Sequence, residues 1–204
     1  MTSSMISPSR PLILASASPR RKRLLEQIGL PFRSVPSRVE EEGRVSGDPA
    51  ARAGFLAEDK AGEVGLRVKD HWILGADTVV VLGETVLGKP VDRADAENML
   101  IRLRGNEHRV ITGFCLLDPS GCIAHRESVE TLVRMKSATL EEVRAYIATG
   151  EPFGKAGGYA IQGIGAFMIE AISGSYANVV GLPLCALVKA LLAAGALKGF
   201  PMPA

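Results

Sequence analysis

The sequence predicts an α/β chain. Three features carry that reading: short apolar runs of strand composition, segments of helical periodicity between them, and helix-start signals at the junctions. The rest is organised around the first strand-turn-helix unit. Leu12, Ile13, Leu14 and Ala15 form an apolar run suited to a buried strand. Ser16, Ala17 and Ser18 then turn the chain, with Ser18 placed to cap a helix and Pro19 at its first position. Leu24, Leu25 and Ile28 recur at helical spacing, and Gly29 closes the helix. Four cations (Arg20, Arg21, Lys22 and Arg23) crowd the first turn, where the positive end of the helix dipole disfavours them. A bound anion would reverse that cost, because N–H groups, hydroxyls and guanidinium forks converge on it. The turn reads as a phosphate cradle or as a solvated basic turn with an ordinary Ser-Pro cap.

Residues 32–35 extend as a second strand before Pro36 interrupts it. Glu40, Glu41 and Glu42 suit a solvated loop. In an extended segment, however, alternation can turn Glu41 inward while its neighbours point out, and an inward carboxylate beside a phosphate cradle is what a magnesium site requires; which of the three would be the ligand stays open. Asp48 caps an Ala-rich helix running to about Arg67, with Ala53, Leu56, Ala57 and Lys60 on one face. Lys60 ends that stripe, either as a snorkelling lysine or as one delivered to a buried polyphosphate.

Residues 72–82 have the strongest core-strand composition, and Asp77 interrupts them. A carboxylate there is costly unless it is paired, metal-bound or functional. The alternative is a structural Asp satisfied by nearby backbone or by Thr78. Residues 83–89 spell G-x-x-x-x-G-K, but Pro90 stands where a P-loop needs a hydroxyl and residues 85–87 look like hairpin strand, so the P-loop is rejected. Lys89 leaves a tight turn a few residues beyond Asp77, placed to meet the same ligand.

Asp92 caps a helix through Leu103, strands follow at 108–117 and 123–135 around a turn at 119–121, and Thr139 with Glu142 makes a capping box for a helix to about Thr149. Residues 150–165 form a glycine-rich loop, without a dinucleotide fingerprint, that must approach something closely or take positive φ angles. Within it the amide of Gln162 can both donate and accept, and so can read the edge of a base. A strand at 167–172, a polar turn at 173–178 and a last helix complete the chain. The core face of that helix is expected to be Leu184, Leu187, Val188, Leu191 and Leu192.

Of the 204 residues, 47% are hydrophobic and 23% charged, and the net charge is +2. That is globular composition without a broad basic surface, which argues against nucleic acid as a partner. Residues 1–11 are expected to be a flexible tail, 12–197 a single domain and 198–204 a second tail. The tail lacks the apolar centre of a secretory signal, and the apolar segment 182–197 is short and carries Lys189. A cytoplasmic protein without membrane contact is therefore expected; a homodimer is left open. Cys115, Cys122 and Cys185 suggest neither disulfides nor zinc, and His71, His108 and His125 read as surface or capping residues. Any metal should be a hard, oxygen-bound cation such as Mg²⁺. Two inward carboxylate candidates (Glu41, Asp77), scattered cations (Arg20, Arg21, Lys60, Lys89) and an amide suit metal-assisted attack of water on a phosphoanhydride.

The chain also resembles the Maf family of nucleoside triphosphate pyrophosphatases, historically linked to septum formation. The resemblance rests on Leu14-Ala-Ser-Ala-Ser-Pro-Arg-Arg21, Glu40-Glu41, Leu56-Ala-Glu-Asp-Lys-Ala61, Gly75-Ala-Asp-Thr78, Gly88-Lys-Pro90, Lys155-Ala-Gly-Gly-Tyr-Ala-Ile-Gln-Gly163 and Val180-Gly-Leu-Pro-Leu184, in the family's order. It implies an α/β fold with a mixed twisted sheet, flanking helices and two lobes around a deep cleft. The implied reaction takes a nucleoside triphosphate to the monophosphate and pyrophosphate with a divalent cation, Mg²⁺ or Mn²⁺. Carried over by position, Ser16, Arg20 and Arg21 would bind phosphates, Lys60 and Lys89 would neutralise the triphosphate, and Glu41 would be a metal ligand or specificity carboxylate. Asp77 matches the proposed general base and can also hold metal. The segments around Gln162 and Asn178 resemble the branch acting on dTTP and UTP, with Ala160 standing where many relatives have Gly. The rival readings are a non-catalytic nucleotide-binding regulator of division and a pyrophosphatase preferring purine or 7-methyl-GTP substrates.

Overall fold

Residues 5–40 and 47–202 are described by the computed structural model of the chain. Glu41 and Glu42 lie outside the described residues. The sheet is mixed and seven-stranded, in the order β2-β1-β3-β5-β6-β7, with β4 pairing on β3. Its strands are β1 (Leu12–Leu14), β2 (Phe32–Ser34), β3 (Ile73–Leu82), β4 (Thr85–Leu87), β5 (Glu107–Leu117), β6 (Ile123–Met135) and β7 (Ile169–Ser173). β1 runs parallel to both β2 and β3, whereas β4 and β7 are antiparallel to β3 and β6. The expected α/β class with a mixed sheet and flanking helices is therefore what the chain adopts.

Helix starts follow their caps. In α1 (Pro19–Gln27) the Ser18 side chain accepts from the Arg21 N–H, and in α2 (Pro49–Arg67) Asp48 accepts from Ala50 and Ala51. In α3 (Arg93–Leu103) Asp92 accepts from Asp95, and α4 (Leu140–Ala148) carries the complete Thr139–Glu142 capping box. Each side-chain oxygen satisfies an N–H that the helix itself cannot. Three short helical elements depart from the sequence expectation, the first a 3-10 turn at Ala156–Gly158 inside the glycine-rich loop. A second 3-10 turn (Ile164–Met168) delays β7 to Ile169, and α5 (Tyr176–Val180) grows out of the polar turn, with the Asn178 side chain donating to Val110 O and Thr131 Oγ1.

The last helix, α6 (Leu184–Ala193), buries Leu187, Ala190 and Leu191. Leu192, expected on its core face, is exposed. The helix rotates so that the small Ala190 takes the inner position. Ahead of β1, Ile6 is buried and its N–H donates to Ala196 O, which ties this segment to the end of α6. No helix among the described residues is long and apolar enough to cross a membrane.

The chain divides into two compact units, each with its own apolar core. The first comprises 1–77, 112–129 and 181–204, and its core gathers Ile13, Ala57, Ala61, Val64, Ile73 and Leu117. The second comprises 78–111 and 130–180, built around Val80, Leu100, Leu103, Val133, Tyr146 and Met168. In the first unit α2 lies directly on the sheet. A Cβ added at Gly75 would fall 2.0 Å from Ala57 O, and one at Gly113 would fall 2.3 Å from the Ala53 carbonyl carbon. Only hydrogens fit at these two strand positions.

Candidate active site

Within the first unit the site begins where β1 ends. The registers Ile13↔Ile73 and Leu14↔Leu74, with the Ala15 N–H on Leu74 O, fix β1 beside β3. The turn at Ser16 therefore leaves the sheet at the shared carboxyl end of the parallel strands β1 and β2, while β3 runs on past it through Asp77, and the carboxyl ends of parallel strands are where α/β sheets open to ligands. Ser16 is buried, and its hydroxyl accepts from the Ser18 N–H at 3.2 Å and from Arg21 Nη1 at 3.2 Å. Arg21 Nε also donates to Gly181 O at 2.8 Å. Arg21 is thus drawn back across the turn and ties the start of α1 to the approach of α6. Arg20 makes no hydrogen bond or ion pair among the described residues, and burial holds its guanidinium below the usual value. A part-buried guanidinium of this kind keeps its donors available to an anion.

Asp77 comes next, two residues beyond Gly75. In a strand, residues two apart share a face, so Asp77 points to the side on which α2 is seated. On α2, Lys60 follows Ala57 by three residues and lies on the same helical face. The two side chains meet: Lys60 Nζ donates to Asp77 Oδ1 at 2.6 Å, with each side chain more than nine-tenths buried. The sequence leaves Lys60 as a snorkelling lysine or one delivered to a polyphosphate, and Asp77 as paired, metal-bound, functional or structural. The structure brings them together as one buried ion pair. Among the described residues Asp77 Oδ2 accepts no hydrogen bond, so one carboxylate oxygen is held and the other keeps its lone pairs for a proton, a water or a cation.

The other two expected site residues belong to the second unit. Lys89 is exposed and follows Gly88, whose carbonyl accepts the Gly157 N–H at 2.9 Å, so its turn is bonded to the glycine-rich loop. Gln162 is exposed on that loop. Gly150, Gly154, Gly157 and Gly158 all have positive φ, as the glycine content predicts, whereas Ala160 does not and its methyl is accommodated. β4 forms a hairpin with β3, consistent with rejecting a P-loop.

Other candidate nucleophiles and bases are disposed of by their surroundings. Burial pushes the Cys115 thiol up to about 12, which makes it an inert core residue. His108, expected at the surface, is instead buried; its Nε2 lies 2.7 Å from Tyr159 Oη, and burial lowers its pKa to about 4. It is a neutral imidazole at physiological pH. Among the described residues no three His, Cys, Asp or Glu side chains gather into a metal cluster. A hard divalent cation nevertheless fits the donor set, because Mg²⁺ is commonly bound by one or two carboxylates and completed by substrate phosphates and water. Asp77, with its unbonded Oδ2, is the described carboxylate that suits this role.

Comparison with known proteins now decides the family. The Maf-like protein model matches residues 11–194. This chain belongs to the Maf family. Three Maf relatives, each named dTTP/UTP pyrophosphatase, cover most of it. The Syntrophotalea carbinolica protein is 51% identical over 93% of this chain and 87% of its own length. That of Ruminiclostridium cellulolyticum is 51% identical over 86% and 91%, and that of a Geobacter species 48% identical over 91% and 96%. A solved nucleoside-triphosphatase / dITP/XTP pyrophosphatase from Mycobacterium abscessus covers 92% of the Maf chain and 97% of its own, with a TM-score of 0.43 and 15% identity. At that similarity no residue is carried across. The matched span contains every site residue named above, including Glu41.

Proposed function

We propose that this Maf chain hydrolyses nucleoside triphosphates, dTTP and UTP foremost, to the monophosphate and pyrophosphate. The observation that carries the reading is the buried Lys60–Asp77 pair with its unbonded Asp77 oxygen, on the strand beside the Ser16–Arg20 turn. The relatives' shared name supplies the substrate class. Glu41 and Asp77 are the candidate carboxylates for a divalent cation; when bound, that cation supplies charge neutralisation at the phosphates and a more acidic water. Ser16, Arg20 and Arg21 bind phosphate oxygens, Arg20 contributing an unspent guanidinium and Arg21 the fixed geometry of the turn. Lys60 holds Asp77 by Oδ1, and with Glu41 carrying the cation Oδ2 takes the proton of the water attacking the α-phosphate. Lys89 neutralises the triphosphate, and Gln162 faces the N3–H and O4 edge shared by thymine and uracil, accepting from one and donating to the other. We assign the work to residues 12–197 as one functional domain, in the cytoplasm, where nucleotide pools lie.

The deciding experiment measures pyrophosphate and monophosphate release from dTTP, UTP, 7-methyl-GTP and ITP, with Mg²⁺ or Mn²⁺ and with chelator. Turnover led by dTTP and UTP and abolished by chelator is expected. Turnover led by 7-methyl-GTP or ITP would discard the base assignment to Gln162. Nucleotide binding without turnover would make the protein a nucleotide-binding regulator instead.

The two arginines should separate. Arg20→Ala removes charge-assisted bonds made only to substrate and should raise KM by roughly 10–100-fold at nearly constant Tm. Arg21→Ala also unties Ser16 from Gly181, so it should lower Tm as well as raise KM. Steady-state kinetics and a thermal melt on both variants check this; an unchanged KM in Arg20→Ala removes Arg20 from the phosphate site.

A further inference from the structure

Gln162 makes no hydrogen bond among the described residues. Its aim must therefore come from the backbone on either side, and that backbone is gripped by two side chains. Upstream, the Ala160 N–H donates to Tyr146 Oη at 3.2 Å. Downstream, the Ile164 N–H donates to Glu151 Oε1 at 3.0 Å and the Gly165 N–H to Glu151 Oε2 at 2.8 Å. Tyr146 Oη itself donates to Glu151 Oε2 at 2.9 Å, which joins the two grips. We propose that Tyr146 and Glu151 form a clamp that positions Gln162, and so sets discrimination between pyrimidine bases, without either residue touching the substrate.

The clamp has a rigid footing. Tyr146 sits in the last turn of α4 and is buried in the second core. Thr149 Oγ1 donates to Tyr146 O at 2.6 Å and accepts from the Glu151 N–H at 3.1 Å, so Glu151 is carried on the end of the same helix. Space around the carboxylate is fully used. A Cβ at Gly163, the residue after Gln162, would fall 2.0 Å from Glu151 Oε1. Burial alone would raise the Glu151 pKa, but the donors from Gly165, Ile164 and Tyr146 outweigh it and hold the carboxyl below its ordinary range. The group is therefore an ionised acceptor at neutral pH, with its oxygens committed to the loop. A carboxylate this engaged is a support and not a base.

The inference rests on Gln162 reading the base, and the experiment keeps the two separable. Tyr146→Phe, Glu151→Gln and Gln162→Ala are compared, singly and with Gln162→Ala as background, by kcat/KM for dTTP and dCTP. Both clamp variants should lose about 10-fold of the dTTP-over-dCTP preference, the scale of a misplaced contact. They should lose nothing further in the Gln162→Ala background. Amide hydrogen exchange at Ile164 and Gly165 should accelerate in Glu151→Gln, which keeps the side-chain size and carries the test alone if Tyr146→Phe does not fold. If Gln162→Ala loses the preference and the clamp variants keep it, the clamp merely stabilises the loop and the inference falls while the reading of Gln162 stands. If Gln162→Ala keeps the preference, both fall. Unchanged exchange in Glu151→Gln also overturns the clamp.

Discussion

Replacing Asp77 by Asn is expected to lower kcat about 1,000-fold while leaving nucleotide affinity near that of the parent protein, the middle of the range for losing a general base. Asn keeps an oxygen at Oδ1, where Lys60 donates at 2.6 Å, and removes the proton-accepting capacity at Oδ2. The larger truncation confuses two effects. Asp77→Ala strips a buried ammonium of its partner, and breaking a buried pair in this way costs roughly 3–5 kcal/mol. A fall in activity would then mix lost chemistry with a loosened α2–β3 contact. Single-turnover kinetics with dTTP, together with equilibrium binding of a non-hydrolysable α,β-imido analogue, separates catalysis from binding. A kcat within about threefold of the parent would remove Asp77 from the proton transfer.

The same pair predicts how Lys60 behaves. Lys60→Met keeps the buried stem and deletes the charge, leaving the Asp77 carboxylate buried beside apolar surface. Without the ammonium, Asp77 loses the donor that fixes Oδ1 at 2.6 Å, so Lys60→Met should lower kcat about 10-fold, the scale of a misplaced catalytic group, with KM changed less. A lysine that served only to bind phosphate would instead give a raised KM with kcat kept.

How far the sequence could be read follows from the range of each interaction. Caps and turns are local, so Ser18, Asp48, Asp92 and Thr139 announce their helices, and each accepts a hydrogen bond from an N–H in the first turn of its helix. The residue types of the site were also legible, because a carboxylate inside a run such as 72–82 is an anomaly that needs a cause. What could not be read was partnership. Lys60 and Asp77 are 17 residues apart on different elements, and whether they touch depends on the depth to which α2 sinks onto β3. His108 looked like a surface residue because its partner Tyr159 lies 51 residues away. Glu151 carries no local signal of its role, since its backbone donors come 13 and 14 residues later. Gly75 carries a signal for the Lys60–Asp77 contact, because a glycine inside a core strand marks a close approach.

That signal leads to the largest effect expected on stability. Gly75→Ala should cost about 3 kcal/mol or more, the upper end for overpacking, because the two atoms nearest the new methyl are main chain. Its Cβ would lie 2.0 Å from Ala57 O and 2.8 Å from Ala61 N, and neither atom can swing away as a side chain would. Relief requires α2 to lift from β3, and α2 carries Lys60. The melting temperature should fall by roughly 6–12 °C, the conversion for a chain of this size. Whatever folds should also lose activity, because Lys60 is withdrawn from Asp77. Gly62→Ala is the matched control on the same helix, with nothing within 4 Å of its added Cβ. There the methyl only removes a helix-interior glycine and should stabilise the protein by up to about 1 kcal/mol. Thermal melts of the two variants, read beside their kcat, decide the matter. If Gly75→Ala melts within 2 °C of the parent, α2 is not held on β3 through this contact, and the account of how Lys60 reaches Asp77 fails with it.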